Sequence, residues 1–198
     1  MKLILASTSA ARRAMLANAG VPHEAMAPHV DEDELKAALK AEGASPRAVA
    51  DALAEAKAVK ISRRIPGALV LGADQVLALP DGTMLDKPGD RAAAAAQLRS
   101  LRGVEHRLIS AAVVAENGTP VWRFVDTTTL QVRAFSDDWL EIYLDAEGDE
   151  LLGCVGAYRL EGLGAQLFAR VRGDYFTVLG LPLLAVLDYL RTRGVIAS

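Results

Sequence analysis

KLILASTSAARR, residues 2–13, sets the pattern on which the rest of the chain is read. Lys2 to Ala6 reads as a short buried strand, a brief apolar run bounded by turn-forming hydroxyls. Ser7-Thr8-Ser9 then offers N-cap oxygens, and Ala10 to Ala19 reads as a helix that Gly20 and Pro22 end. A strand that opens a helix in this way aims backbone N–H groups outward, which makes an anion site by geometry. Arg12 and Arg13 fall in the first helical turn, where a cation opposes the helix dipole. A bound polyphosphate would remove that conflict, and arginine grips phosphate bidentately. The competing reading is an ordinary capped helix with solvated arginines.

Downstream, the same alternation of strand and helix continues. His23 to Val30 is a weak strand, and Asp31 to Ala41 a helix with acidic residues in its first turn, ending at Gly43. Ser45 and Pro46 pair as N-cap and first helical residue of a helix running to about Arg64. Ala68 to Leu71 and Val76 to Leu79 are strand segments either side of Gly72-Ala73-Asp74, followed by a turn at Pro80-Asp81-Gly82. Asp90 to Leu101 is an Ala-rich helix. His106 to Ala115 and Val121 to Val132 are longer strands joined at Asn117-Gly118, a hairpin signal. Ser136 caps a helix to about Asp145, Gly153 to Gly164 is dense in glycine, Ala165 to Arg172 is a strand, and Pro182 opens the last helix. Mixed elements of this kind predict an α/β (mixed α+β) fold.

With 198 residues, the chain suits one domain over 1–198, or two lobes sharing a core. Hydrophobic residues make up 52%, enough for a substantial core, and the formal net charge is -3. No basic block marks a nucleic-acid or membrane surface, so neither is expected as a partner, and an anionic ligand needs a site built locally. No apolar run reaches transmembrane length, and the start is apolar too briefly for a signal peptide. Cys154 is the single cysteine, which rules out an intramolecular disulfide, fits a reducing, cytoplasmic setting and reads as a buried small hydrophobe. His23, His29 and His106 lack zinc-ligand spacing.

Three further residues carry chemistry. Lys57 shares a helix face with Val49, Leu53 and Ile61, so it either snorkels or meets an anionic partner. Asp74 stands at the carboxyl end of a buried strand, the place where ligands bind in open α/β sheets. An acid there holds a metal ion, takes a proton from water, or merely caps a turn. Lys87, after Asp86, binds phosphate as a point charge or is solvated. Asp31-Glu32-Asp33-Glu34 is a solvated helix start or a source of an oxygen ligand to magnesium.

Together these segments resemble the Maf family of septum-formation inhibitor proteins over nearly the whole chain. The likeness rests on Leu5-Ala6-Ser7-Thr8-Ser9 with Arg12-Arg13, Val30-Asp31-Glu32, and Leu53 to Ala58 around Lys57. It continues in Gly72-Ala73-Asp74 with Gly82 and Lys87-Pro88, in Gly156-Ala157-Tyr158 with Glu161-Gly162, and in Val178 to Leu183. The resemblance implies the fold of ITP pyrophosphatases, an elongated twisted mixed sheet with two lobes around a central cleft. It implies hydrolysis of a nucleoside triphosphate between its α and β phosphates, with Mg2+ or Mn2+ as cofactor. By position, Asp74 is the proton acceptor for water. Ser7, Arg12, Lys57 and Lys87 bind phosphates, with Arg13 beside them, and Glu32 with Asp74 holds the metal or site water. Gln75 and Glu161, in place of the Thr and Gln of the branch acting on dTTP and UTP, resemble the 7-methyl-GTP branch. That branch has Trp where Ala11 stands, and Ala11 supplies no ring for the base. Ala10 and Ala11 also replace a proline common after Ser9, and Gly153-Cys154 replaces an Asp-Lys pair. A nucleotide-binding regulator of cell division that hydrolyses nothing is the alternative, and a homodimer is left open. A Rossmann dinucleotide binder is disfavoured, since no Gly-x-Gly-x-x-Gly follows the first strand.

Overall fold

Alternating apolar residues decide which helices lie on which face of the sheet. The computed structural model describes residues 2–197; Met1 and Ser198 lie outside them. A seven-stranded sheet has the order β2-β1-β3-β5-β6-β7, with β4 paired to β3. The strands are β1 (Leu3–Ala6), β2 (Glu24–Ala25), β3 (Leu69–Ala78), β4 (Met84–Leu85), β5 (Glu105–Glu116), β6 (Thr119–Val132) and β7 (Phe168–Arg172). The helices are α1 (Ala10–Asn18), α2 (Glu32–Ala41), α3 (Pro46–Ser62), α4 (Arg91–Leu101), α5 (Asp137–Glu147), α6 (Tyr175–Val178) and α7 (Leu183–Thr192). β1 is parallel to both β2 and β3, whereas β4 on β3 and β7 on β6 are antiparallel, so the sheet is mixed as expected.

The chain divides into two units, one of Met1–Gln75, Ile109–Asp126 and Asp174–Ser198, the other of Val76–Leu108 and Thr127–Gly173. In the first, Leu3 and Leu5 of β1 and Leu69, Leu71 and Ala73 of β3 pack with Met15 and Leu16 of α1 and Leu183, Val186 and Leu190 of α7. The intervening residues Ile4, Ala6 and Val70 face the opposite way and pack with Ile61 of α3. A period of two thus divides one strand pair between two helical layers. Side-chain oxygens start the helices where the sequence places them: Ser9, Asp31 and Ser45 each accept from the backbone N–H three residues on. Asn117 and Gly118 have φ of 50° and 79°, the pair of positive values that a tight hairpin turn needs.

Three expectations shift. The two strand segments flanking Gly72-Ala73-Asp74 are one strand of 10 residues, β3. The weak strand from His23 shrinks to Glu24–Ala25. The strand expected from Ala165 begins at Phe168, after a 3-10 turn over Leu163–Leu167.

In the second unit, α4 and α5 carry Asp90 and Ser136 as their N-caps, and ion pairs link Arg91 to Glu141 (3.0 Å) and Asp145 (2.7 Å). His106 is 1% exposed, its Nε2 is 2.7 Å from the Tyr158 hydroxyl, and its Nδ1 has no partner. Burial pushes its pKa down from the ordinary 6.5 to about 4. The unfolded chain therefore takes up a proton at higher pH than the native one. The stabilising difference is present above pH 6.5 and is lost as pH falls towards 4, costing about 3 kcal/mol over that window. Urea midpoints at several pH values should show this slope, and His106→Gln should flatten it; an unchanged slope would assign it to other groups.

Candidate active site

The register of β1 with β3 places the first site residues. Ala6, the last residue of β1, lies opposite Gly72 in parallel strands, so Ser7 just past the end of β1 is brought alongside β3 near Asp74. Asp74 itself stands within β3, not at a strand's carboxyl end as expected, because β3 runs on to Ala78. Ser7 is 6% exposed, and its Oγ accepts from the N–H of Ser9 at 3.1 Å. One residue pair controls how near α3 comes: a Cβ on Gly72 would lie 2.2 Å from the Ala54 carbonyl oxygen and 2.7 Å from the Ala58 nitrogen. Only a residue without Cβ permits this approach.

On that closely packed helix Lys57 is 5% exposed. Its Nζ is 2.6 Å from Asp74 Oδ1 and 3.0 Å from Glu32 Oε2. Of the two readings open to it, snorkelling is excluded: the ammonium is joined to both acids. Glu32 reaches it from the first turn of α2, whose start Asp31 caps and whose preceding loop is tied down by Lys60 donating to the His29 carbonyl.

Arg12 completes the group. Its Nε donates to the Gly180 carbonyl at 2.8 Å. Burial pushes the guanidinium's pKa below its ordinary value, while the nearby carboxylates of Asp74 and Glu32 push it back up. Arg13 is exposed, and Ala11 is half-buried beside it. Gln75 leaves β3 on the face opposite Asp74, where its Nε2 lies 3.0 Å from Ser110 Oγ and 2.9 Å from the Thr177 carbonyl. The first unit thus brings Ser7, Arg12, Glu32, Lys57 and Asp74 together. Thr177, Ser110 and Asp126, which anchor the segment holding Arg12, were not singled out from sequence. The spacing Asp174-x-x-Thr177, in which Asp174 Oδ1 accepts from the Thr177 N–H at 2.9 Å, was the one local signal of α6.

Lys87 and Glu161 belong to the second unit. Lys87 is exposed on a loop that Gln97 ties by donating to the Asp86 carbonyl at 2.7 Å. Glu161 is exposed and has Arg159 Nε 3.5 Å from its Oε1. Cys154 is half-buried, not fully buried as expected. Burial first, then Glu161, pushes its thiol pKa up, with Arg159 and Lys87 opposing. That is the reverse of what a nucleophilic thiolate needs.

The donor set suits a hard divalent cation. Glu32 and Asp74 offer carboxylate oxygens, while no group of three or more His, Cys, Asp or Glu able to hold a metal occurs among the described residues. Magnesium is commonly held by one or two carboxylates together with substrate phosphates. Charge bookkeeping agrees: two carboxylates and the two cations Lys57 and Arg12 balance, so a polyphosphate brings excess negative charge that a cation offsets. Among the described residues no helix is long and apolar enough to cross a membrane.

A family model described as Maf-like protein matches residues 2–193. The nucleoside triphosphate pyrophosphatase of Caulobacter vibrioides is 55% identical over 190 residues, covering 96% of this chain and 94% of that protein. Nucleoside triphosphate pyrophosphatase 1 of Jannaschia sp. is 52% identical over 196 residues, covering 99% of this chain and 98% of its own length. A solved dITP/XTP pyrophosphatase from Mycobacterium abscessus aligns over 98% of both chains at 19% identity, with a TM-score of 0.40. Matched by the family model nearly from end to end, and sharing half its residues with these two bacterial relatives, the chain belongs to the Maf family.

Proposed function

We propose that the chain is a nucleoside triphosphate pyrophosphatase, hydrolysing a triphosphate to its monophosphate and pyrophosphate with a divalent cation. The observation that carries this is the buried Lys57 joined at once to Asp74 and Glu32, where β1 ends beside β3. A binder has no need to hold an acid in one orientation beside a buried lysine; a hydrolase that must orient water does. The names of the relatives, over almost the full length of both chains, support the same reading.

Phosphoryl transfer depends mainly on positioning and charge neutralisation. Lys57 has three N–H donors, of which two are taken by Asp74 and Glu32, so the third is free for a phosphate oxygen. Arg12 commits Nε to Gly180 and keeps its terminal nitrogens for bidentate contact. The N–H groups at the start of α1 add a further anion cradle, with Ser7 beside them. Asp74 orients a water and accepts its proton as the water oxygen bonds to phosphorus. The α–β anhydride P–O bond breaks, and pyrophosphate leaves with the electron pair. Magnesium or manganese held by Glu32 and Asp74 would supply charge neutralisation on the phosphates.

The test is a panel of nucleoside triphosphates assayed for monophosphate and pyrophosphate in equal amounts, with magnesium, with manganese and after exhaustive chelation. Release of pyrophosphate that disappears with EDTA and returns with metal is expected. Tight nucleotide binding without cleavage of any panel member would favour a non-hydrolysing regulator of division instead.

We place base discrimination at Glu161 and 7-methyl-GTP among the preferred substrates. A carboxylate accepts hydrogen bonds from a guanine edge and favours the positive charge of 7-methylguanine, whereas an amide donates to a pyrimidine carbonyl. Glu161→Gln should shift the kcat/KM ratio of 7-methyl-GTP to UTP downward by about 0.5–1.5 kcal/mol, the net worth of one hydrogen bond. An unchanged ratio would remove Glu161 from the base site while leaving the pyrophosphatase reading intact.

A further inference from the structure

Asp74 and Gln75 are consecutive, and β3 sends them to opposite faces. What Gln75 does on its own face is specific. Its Nε2 lies 2.9 Å from the Thr177 carbonyl, 3.0 Å from the Val178 carbonyl and 3.0 Å from Ser110 Oγ. Two amide hydrogens face three acceptors, so both are committed to the protein. The two carbonyls belong to the last residues of α6, and the Thr177 carbonyl also accepts from the Gly180 N–H at 3.2 Å.

Neighbouring strands secure the same short helix. Ser110 of β5 is fully buried and donates to the Thr177 carbonyl at 2.8 Å. Asp126 of β6 accepts from the Thr177 hydroxyl at 2.8 Å. Three adjoining strands therefore each give one polar side chain to α6; Gln75 and Ser110 both hold the Thr177 carbonyl, and Gln75 also reaches the Val178 carbonyl. Two residues beyond Val178 stands Gly180, with φ of 96°, whose carbonyl accepts from Arg12 Nε at 2.8 Å. A Cβ on Gly180 would come 3.2 Å from Arg12 Nη2, so the turn and the guanidinium are in close contact.

We propose that Gln75 is a positioning residue for phosphate binding: it fixes the Thr177–Gly180 turn, and that turn aims Arg12. The proposal rests on the reading of Arg12 as a phosphate ligand. It separates the two neighbours on β3 by role, Asp74 acting on water and Gln75 acting through Arg12 without touching the base.

Binding of α,β-methylene nucleoside triphosphates, which the enzyme cannot cleave, tests this independently of turnover. Two analogues differing in base, one purine and one pyrimidine, are titrated calorimetrically against wild type, Gln75→Met, Arg12→Ala and the double variant, with KM and kcat measured on the cleavable nucleotides. Gln75→Met should weaken both analogues about 10-fold, equal to a loss of one tenfold step in Kd. The purine-to-pyrimidine ratio should be unchanged, with KM rising more than kcat falls. In the Arg12→Ala background the same substitution should add less than about 2-fold, because its effect passes through Arg12. Ser110→Ala, which removes one support of the Thr177 carbonyl, should give a smaller shift of the same pattern and serves if Gln75→Met does not fold. A changed base ratio, full additivity with Arg12→Ala, or unchanged binding would overturn the proposal. Wild type that binds the analogues yet releases no pyrophosphate would instead overturn the enzymatic reading alone, and wild type that binds neither would overturn both.

Discussion

Asp74→Asn should leave a folded protein that binds nucleotide and releases pyrophosphate about 10²–10⁴-fold more slowly, the usual loss when a general base is removed. Asparagine keeps the shape and still accepts from Lys57 through its amide oxygen, but it carries no charge to take a proton from water or to hold a cation. The fold should survive because Lys57 is not stranded: Glu32 Oε2 remains 3.0 Å from its ammonium. Pyrophosphate release under saturating nucleotide is the measurement, with thermal unfolding as the control. Turnover within a few-fold of wild type would remove Asp74 from the chemistry.

Lys57→Met should cost both activity and stability. From sequence alone, the lysine interrupts an apolar stripe, and its replacement by methionine would be expected to leave stability unchanged or raised. The ion pair reverses that expectation. Asp74 is 7% exposed and its Oδ1 is 2.6 Å from the lysine nitrogen, so the substitution leaves a buried carboxylate without its nearest cation. Breaking a buried pair from one side costs about 3–5 kcal/mol, and part of that falls away here because Arg12 is also within electrostatic reach of Asp74. A loss near the lower end of that range is expected in urea unfolding, with triphosphate turnover sharply reduced. The double variant Lys57→Met, Asp74→Asn should recover much of the stability and none of the activity. Such non-additivity is the signature of two groups in direct contact. A single variant as stable as wild type would show that Asp74 does not depend on Lys57.

The helix starts and the hairpin were legible because their signals are local. Ser9, Ser45 and Ser136 announce helices through side-chain oxygens that meet a backbone N–H three residues on, and Asn117-Gly118 announces a turn through backbone freedom. Asp31 and Asp90, read from sequence as first helical residues, are caps of the same kind. The unbroken course of β3 was not legible. Gly72 and Asp74 are turn-forming residues by composition, yet here the glycine admits α3 and the aspartate is matched by Lys57, so tertiary contacts override local preference. The partner of Lys57 was hidden for a related reason. A snorkelling lysine and a paired one occupy the same position in an apolar stripe, and Glu32 lies 25 residues upstream in sequence, on another helix. The support around Thr177 left no trace in the pattern, since Gln75, Ser110 and Asp126 come from three strands and only the folded sheet makes them neighbours.

The atoms that crowd Gly72 are the Ala54 carbonyl oxygen and the Ala58 amide nitrogen, both main-chain atoms. Shrinking a side chain on α3 cannot relieve them, because Ala54 and Ala58 are already small and their Cβ atoms are not the nearest obstacle. A lesion at Gly72 therefore has no second-site suppressor on the facing helix. Genetic selection for revertants of Gly72→Ala should return the original glycine codon, whereas surface lesions of similar severity yield scattered compensating changes. The spacing between β3 and α3 is in this sense a closed position in sequence space, and diversification of the enzyme must proceed around it.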